Sequence, residues 1–432
     1  MPKGNFKLVL TIVFIAAAVL GLLVFAGVIK LGSQKDTAGS LGTVTLWGTE
    51  KMQNISGPLE DFNKANPTFV VKYVQKDPET FDRDLLEALA SGKAPDMFFI
   101  SNDLAYKYSN KIYTIPFASY PLASFKSTFA GAGEVFLTSK GILAFPITID
   151  PLVMYYNRSI LDTNNVVYPP TSWDDMESLI SVLTKKDDTN KITESAVALG
   201  QFSNISSAKN ILATLFMQAG NTIVYENSGI FYSALDKSSA SYDLGSVLKF
   251  YTSFSDPENS LYSWNRSLGN SQDVFSAERL AFYFGYTSEL SSLVLKNPNE
   301  NFSVAPLPQV KNAKYKLTGS RVTGIAIASA SKNFPAAFQA ASLLATTGFA
   351  ENYTKSASLV PARRDLLTKK QSDAFSPIFY SSALYARSWL DPSPSDTDDI
   401  FRNMIDGVLS NNRTPAEAVA DGSAKLNLLL VR

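Results

Sequence analysis

Residues 43–47 (TVTLW), 69–74 (FVVKYV) and 96–100 (DMFFI) are three short runs rich in β-branched and aromatic side chains, the composition of strands. The segments between them carry a different spacing. Leu59 and Phe62 share one side of a helical stretch with Pro58 near its start. Phe81, Leu85, Ala88 and Leu89 recur at helical intervals until Ser91-Gly92 ends the pattern. Strand, helix, strand, helix, strand is the order of a mostly parallel sheet covered by helices, so the fold class is α/β. Such sheets bind ligands beyond the carboxyl ends of their strands. That rule singles out Gly48 to Lys51 and Ser101 to Asp103, which follow the first and third runs.

The pattern changes further along. Phe145 to Pro151 (FPITIDP) is extended, with a proline near each end, and Leu152 to Tyr156 reads as a separate strand. Residues 169–175 (PPTSWDD) open a helix that Thr171 or Ser172 caps, with Met176, Leu179, Ile180 and Leu183 on its inner face. A helix is expected over Lys332 to Thr347, stopped by Gly348. Another is expected over Pro415 to Leu430, with Thr414 as cap and Glu417 completing a capping box. This length exceeds one ordinary domain, so two lobes are expected.

Ahead of the first strand, Leu8 to Ile29 (LVLTIVFIAAAVLGLLVFAGVI) is apolar and uncharged. At 1.5 Å per residue it spans a hydrocarbon core of ~30 Å. Lys3 and Lys7 precede it, which favours a cytoplasmic N-terminus and the bulk of the chain on the extracytoplasmic side. A cleaved signal peptide is the alternative, but the run is long for one and Val24-Phe25-Ala26 is a poor cleavage site. Residues 32–42 form a small, polar linker. The chain has no cysteine, which excludes a lipid-modified cysteine, disulfides and thiolate chemistry. It has no histidine, which removes the usual general base, the usual zinc ligand and every histidine-containing triad. Lys+Arg and Asp+Glu both number 39, so no basic footprint for nucleic acid exists. No cofactor or metal site is expected; the acidic loop Asp396 to Asp399 reads as solvated rather than as a calcium site.

Several ordered motifs carry a resemblance. They are Val44-Thr45-Leu46-Trp47, then Ser91-Gly92-Lys93-Ala94-Pro95-Asp96, Gly141 to Pro146 (GILAFP), Leu152 to Asn157 (LVMYYN), and Pro169 to Asp174 (PPTSWD). Phe275 to Tyr286 (FSAERLAFYFGY), Val304 to Pro308 (VAPLP), Gly324 to Ile327 and Ser331-Lys332-Asn333 follow. In this order they resemble the extracellular solute-binding proteins of bacterial ABC importers, in the sugar-binding branch that includes the maltose-binding protein. The resemblance implies a two-lobed, hinged periplasmic-binding-protein-like fold of type II, a small solute held between the lobes, and ABC permease subunits as partners. It divides the chain into an anchor (1–31), the linker (32–42), a first lobe (43–148 and 306–329) and a second lobe (149–305 and 330–432).

Carried over by position, the resemblance implies these ligand contacts: Glu50 and Lys51 after the first strand, Asn102 and Asp103 after the third, and Asp150 in the hinge. Gln201 and Phe202, Tyr286 (where the family usually has Trp), Arg321 and Trp389 complete the set. Each has a plainer reading. Glu50 and Lys51 form a solvated pair, Asp103 caps a turn, and Asp150 braces the hinge. Ile100 stands where sugar binders often carry an aromatic, which argues against a long oligosaccharide. A surface module for adhesion or sensing on the same fold is the rival function. A glycosidase with paired carboxylates is a further one, although no catalytic motif is visible.

Overall fold

The computed structural model describes residues 41–236 and 243–431. The expected membrane anchor and nearly all of the linker lie outside the described residues. Among these residues no helix is long and apolar enough to cross a membrane.

The opening pattern folds as the spacing implies. β1 (Thr43–Gly48), α1 (Met52–Ala65), β2 (Val70–Gln75), α2 (Phe81–Ala90) and β3 (Met97–Ser101) follow one another, and β1 pairs in parallel with both β2 and β3. Asp96, in the turn before β3, explains its motif. Its Oδ2 accepts from the Thr45 N–H at 2.9 Å and the Thr45 hydroxyl at 3.0 Å, and its Oδ1 accepts from Ser331 Oγ at 2.7 Å. One carboxylate thus pins two strands and a distant loop. The edge strand β2 is covered by Asn63 of α1, whose amide donates to Val71 O at 3.0 Å and accepts from Val71 N at 2.9 Å. Pro58 lies inside α1 rather than near its start, because the helix begins at Met52. α2 ends as expected, with Gly92 at φ +70° just beyond it.

α3 (Asn102–Tyr108) leads toward β4 (Phe145–Asn157), a single strand where two segments were expected. Its partners change along its length. Phe145 to Pro151 pair with β8 (Thr318–Ile327), and Leu152 to Tyr156 pair with β6 (Leu280–Tyr286). Pro151, which has no N–H to give, falls at this exchange, where the ladder is interrupted in any case. Further along come α4 (Trp173–Leu183), β5 (Ile192–Val197), α5 (Ala208–Gln218) and β7 (Phe302–Pro306), among other short elements. The sheet runs β2-β1-β3-β8-β4-β6-β5, with β7 on the other side of β4 from β6. Ser172 caps α4 in a capping box with Asp175, and Trp173 is buried against Phe250 and Phe284.

The expected helix over 332–347 is α6 (Phe334–Leu344), and at its expected end a second helix, α7 (Thr347–Ala357), begins. Gly348 is in the first turn of α7 and so begins a helix instead of ending one. α7 packs on the first half of the sheet: Phe349 meets Phe62 edge-on at 5.7 Å, and Tyr353 stacks on Phe99 at 5.9 Å. Residues 334–357 therefore accompany α1 and β3, not the later elements with which the sequence grouped them. α8 (Pro394–Leu409) and α9 (Pro415–Leu430) close the chain, and Thr414 and Glu417 form the expected capping box.

Glu300, just before β7, is 8% exposed, and neither of its carboxylate oxygens has a hydrogen-bond partner. Burial, reinforced by Glu278 and opposed by the nearby Asn157 amide, pushes its pKa from 4.5 up to about 7. The folded chain then holds this proton more tightly than the unfolded one. Stability falls as pH rises between those two values and stays lower above them. Glu300→Gln is expected to be more stable than the parent by about 2 kcal/mol near pH 8, with the advantage vanishing near pH 4. Urea midpoints at both pH values check this; an equal gain at both would contradict it.

Candidate functional site

The strand directions define the site. β3 runs antiparallel to β8, and its last residue, Ser101, pairs with Thr323. β6 runs antiparallel to β4, and its last residue, Tyr286, pairs with Leu152. The carboxyl ends of the two half-sheets thus point at one another along β4 and β8. Between them the register sets Asp150 directly opposite Arg321, so both side chains stand on the same face.

Arg321 keeps contact with solvent while its guanidinium lies over the buried Tyr286 ring, 3.9 Å from the centroid. Burial works against its charge, but Tyr286, Asp150, Asp103 and Glu289 outweigh that and raise its pKa above the ordinary value. Among the described residues the Arg321 guanidinium donates no hydrogen bond and forms no ion pair. A planar fork of donors is therefore held in place with nothing to bind. Burial raises the Tyr286 pKa well above the ordinary phenol value, so the ring stays neutral.

The carboxylates differ in their freedom. Asp150 accepts from Thr287 Oγ1 at 2.7 Å, Ser288 N at 3.0 Å and Ser288 Oγ at 2.7 Å. It ties β4 to the turn after β6, which is the bracing role. Asp103 is half-buried and accepts from Asn102 Nδ2 at 2.8 Å. Burial and the Asp391 charge raise its pKa, while Arg321 and Lys209 pull it down. Asn102 is buried and fully used: it also donates to Trp389 O at 3.1 Å and accepts from Val322 N at 2.9 Å. Its amide fills the gap where β3 has ended and β8 continues.

Sequence reasoning missed the ion cluster beneath. Lys209, 8% exposed in the first turn of α5, reaches Asp391 at 2.9 Å, Asp398 at 2.7 Å and Thr397 Oγ1 at 3.1 Å. Desolvation opposes its charge, but Asp391 and Asp398 prevail and its pKa rises. A lysine in a first turn opposes the helix dipole, and that mismatch was the available signal.

The structure gives the other candidates different partners. Glu50 accepts from Lys51 N at 3.0 Å and Asn54 Nδ2 at 2.7 Å, fastening the start of α1, while Lys51 is exposed. Gln201 is buried and accepts from Arg266 Nε at 3.1 Å, and Phe202 lies under Arg402 at 4.9 Å. Trp389 is buried and stacks on Phe401 at 6.2 Å. It also lines a cavity of about 780 Å³, together with residues from 131–137, 217–226 and 310–317; no other candidate reaches that cavity. Among the described residues no group of three or more acidic side chains could hold a metal ion.

Comparison with solved structures follows the same architecture. A cyclo/maltodextrin-binding protein complexed with maltotetraose superposes with a TM-score of 0.72 at 16% identity, covering 91% of this chain and 98% of that one. The cyclic α-maltosyl-1,6-maltose binding protein from Arthrobacter globiformis gives 0.73 at 13% identity, covering 90% and 98%. The sugar-binding protein MalE from Xanthomonas citri gives 0.69 at 16% identity, covering 90% and 97%. No individual curated protein matches by sequence. The family described as bacterial extracellular solute-binding protein matches residues 59–376, and the chain belongs to that family.

Proposed function

We propose that this protein captures a carbohydrate-like solute between its two lobes and hands it to the permease of an ABC importer, without chemistry of its own. The observation that carries this reading is the unsatisfied guanidinium of Arg321, fixed over Tyr286 between the facing strand ends and beside the half-buried Asp103. A sugar diol offers both the acceptors that Arg321 lacks and donors for Asp103. The neighbouring folds whose structures hold maltotetraose, or whose names specify cyclic maltosyl-maltose, support the same solute class. We place Arg321 and Asp103 in contact with the solute, with Tyr286 beneath Arg321 and Asp150 and Asn102 behind them. Glu50, Lys51 and Phe202 are placed on the lips of the cleft, and the buried Gln201 behind them.

The packing of α7 on α1 and β3 supports the following division into lobes. The first comprises 43–148 with the second half of β8, α6 and α7; the second comprises 152–318 and the chain from about 364 onward. The apolar run Leu8 to Ile29 would tether the assembly to the outer face of the cell membrane.

A thermal-shift screen of the full chain against mono- and disaccharides tests the proposal. At a hundredfold excess over Kd a true ligand adds about 2.7 kcal/mol of stability, enough for a clear rise in Tm. If no sugar moves the transition, the reading fails. A surface adhesion module would behave in that way.

A further inference from the structure

The cavity of about 780 Å³ that Trp389 lines is not the cleft of Arg321. One wall comes from residues 131–137, and that segment packs on the face of β8 that carries Gly324, where a Cβ would meet Phe136 at 2.9 Å. Arg321, three residues away along the strand, points to the opposite face. The volume is in the range of small-molecule sites.

Its charge is one-sided. Lys311, Lys314, Lys316 and Arg387 line it, and among the described residues none of them forms an ion pair; Lys314 only approaches the Tyr315 ring at 5.2 Å. The two lining carboxylates are already engaged. Glu134 pairs with Lys126 at 3.1 Å, and Glu226 accepts from Ser139 N at 2.9 Å and Ser139 Oγ at 2.6 Å. The amide of Gln218 is also spent, on Trp173 Nε1, Pro308 O and Leu317 O. On the same wall the buried Ser388 hydroxyl has no partner. Arg387 spends one N–H on Ala386 O at 2.9 Å; the three lysines, the rest of the Arg387 fork and the Ser388 hydroxyl are left to donate hydrogen bonds to an oxyanion. The carboxylates that could repel one are neutralised or hydrogen-bonded.

We propose that this cavity is a second ligand site that takes a small polyanion, of the phosphate or polycarboxylate class. Because its walls come from segments on both sides of the hinge strands, occupation also biases the relative position of the lobes.

The test is calorimetric titration of the full chain with inorganic pyrophosphate and, separately, with citrate, in low salt. One equivalent should bind, weakening steeply as salt is added. The triple variant Lys311→Ala, Lys314→Ala, Lys316→Ala should bind at least tenfold more weakly, and the corresponding triple arginine variant should recover it. These lysines are exposed, so the fold should survive, and an unchanged Tm without anion confirms that. Pyrophosphate against citrate separates the two anion sources. No binding, unsaturable binding, or equal binding by the triple alanine variant overturns the proposal. So does binding of anionic phosphatidylglycerol vesicles through these lysines with no response to either small anion. None of these outcomes depends on whether the Arg321 cleft binds sugar.

Discussion

Lys209→Met is expected to destabilise the folded chain by about 3–5 kcal/mol, the largest single effect of any substitution proposed for this protein. The reason is what it leaves behind. Asp391 is 1% exposed, and among the described residues Lys209 is its only cationic partner. With the ammonium gone, Asp391 keeps hydrogen bonds from Thr397 Oγ1 at 2.9 Å and Ser393 N at 3.1 Å, but its charge is buried without a counter-charge. It must then take a proton or disrupt its surroundings. Removing both members in Lys209→Met with Asp391→Leu should restore much of the loss, since an apolar pair of similar volume often does as well as a buried ion pair. Urea denaturation of the parent, both single variants and the double variant reads the coupling directly. Additive losses would show that the pair does not act as a unit. The same change should push the Asp103 pKa higher still, because Lys209 is one of the two cations holding it down.

Arg321→Ala is expected to weaken solute binding by about 100-fold with little change in stability. Charge-assisted hydrogen bonds contribute about 1.5–3 kcal/mol each, and this side chain has its donors free and its plane fixed by Tyr286. Stability should change little because the Arg321 side chain is exposed and, among the described residues, forms no hydrogen bond or ion pair beyond its stacking on Tyr286. Arg321→Lys retains the charge but not the flat fork, so it should recover only part of the affinity. Calorimetric titration with the sugar identified by thermal shift measures all three proteins. Equal affinity across them would remove Arg321 from the site.

The sequence made the first half of the sheet legible because local signals agreed there. Strand composition, helical spacing and the Pro95-Asp96 turn all pointed the same way; the cap at Thr414 could be read to the residue, and that of α4 to Thr171 or Ser172. It failed where long-range pairing decides. β4 looked like two pieces because its two prolines suggest breaks, yet Pro151 sits at an exchange of partners that only the folded sheet defines. Gly348 looked like a helix stop, but packing of α7 on Phe62 and Phe99 sets the boundary there. For the proposed site, the rule that ligands lie beyond strand ends pointed to Asp103, and the family order pointed to Asp150, Tyr286 and Arg321. Neither could show that Asn102 is consumed by Trp389 and Val322, or that Glu50 serves α1. Lys209 and Asp391 are 182 positions apart in the chain, and no local pattern couples them.

The central claim is that the two lobes close on a sugar at the Arg321 cleft, and a distance measurement across that cleft tests it most directly. The chain has no cysteine, so Glu79→Cys and Ser267→Cys provide a unique pair of spin-label sites. Both positions are exposed. One lies past the end of β2, the other beside the Arg266 that meets Gln201. Electron–electron double resonance on the labelled chain should show a shorter distance when a binding sugar is added at saturation, and no shortening when the same experiment is run on Arg321→Ala. An unchanged distance distribution with the sugar demonstrably bound would contradict the account.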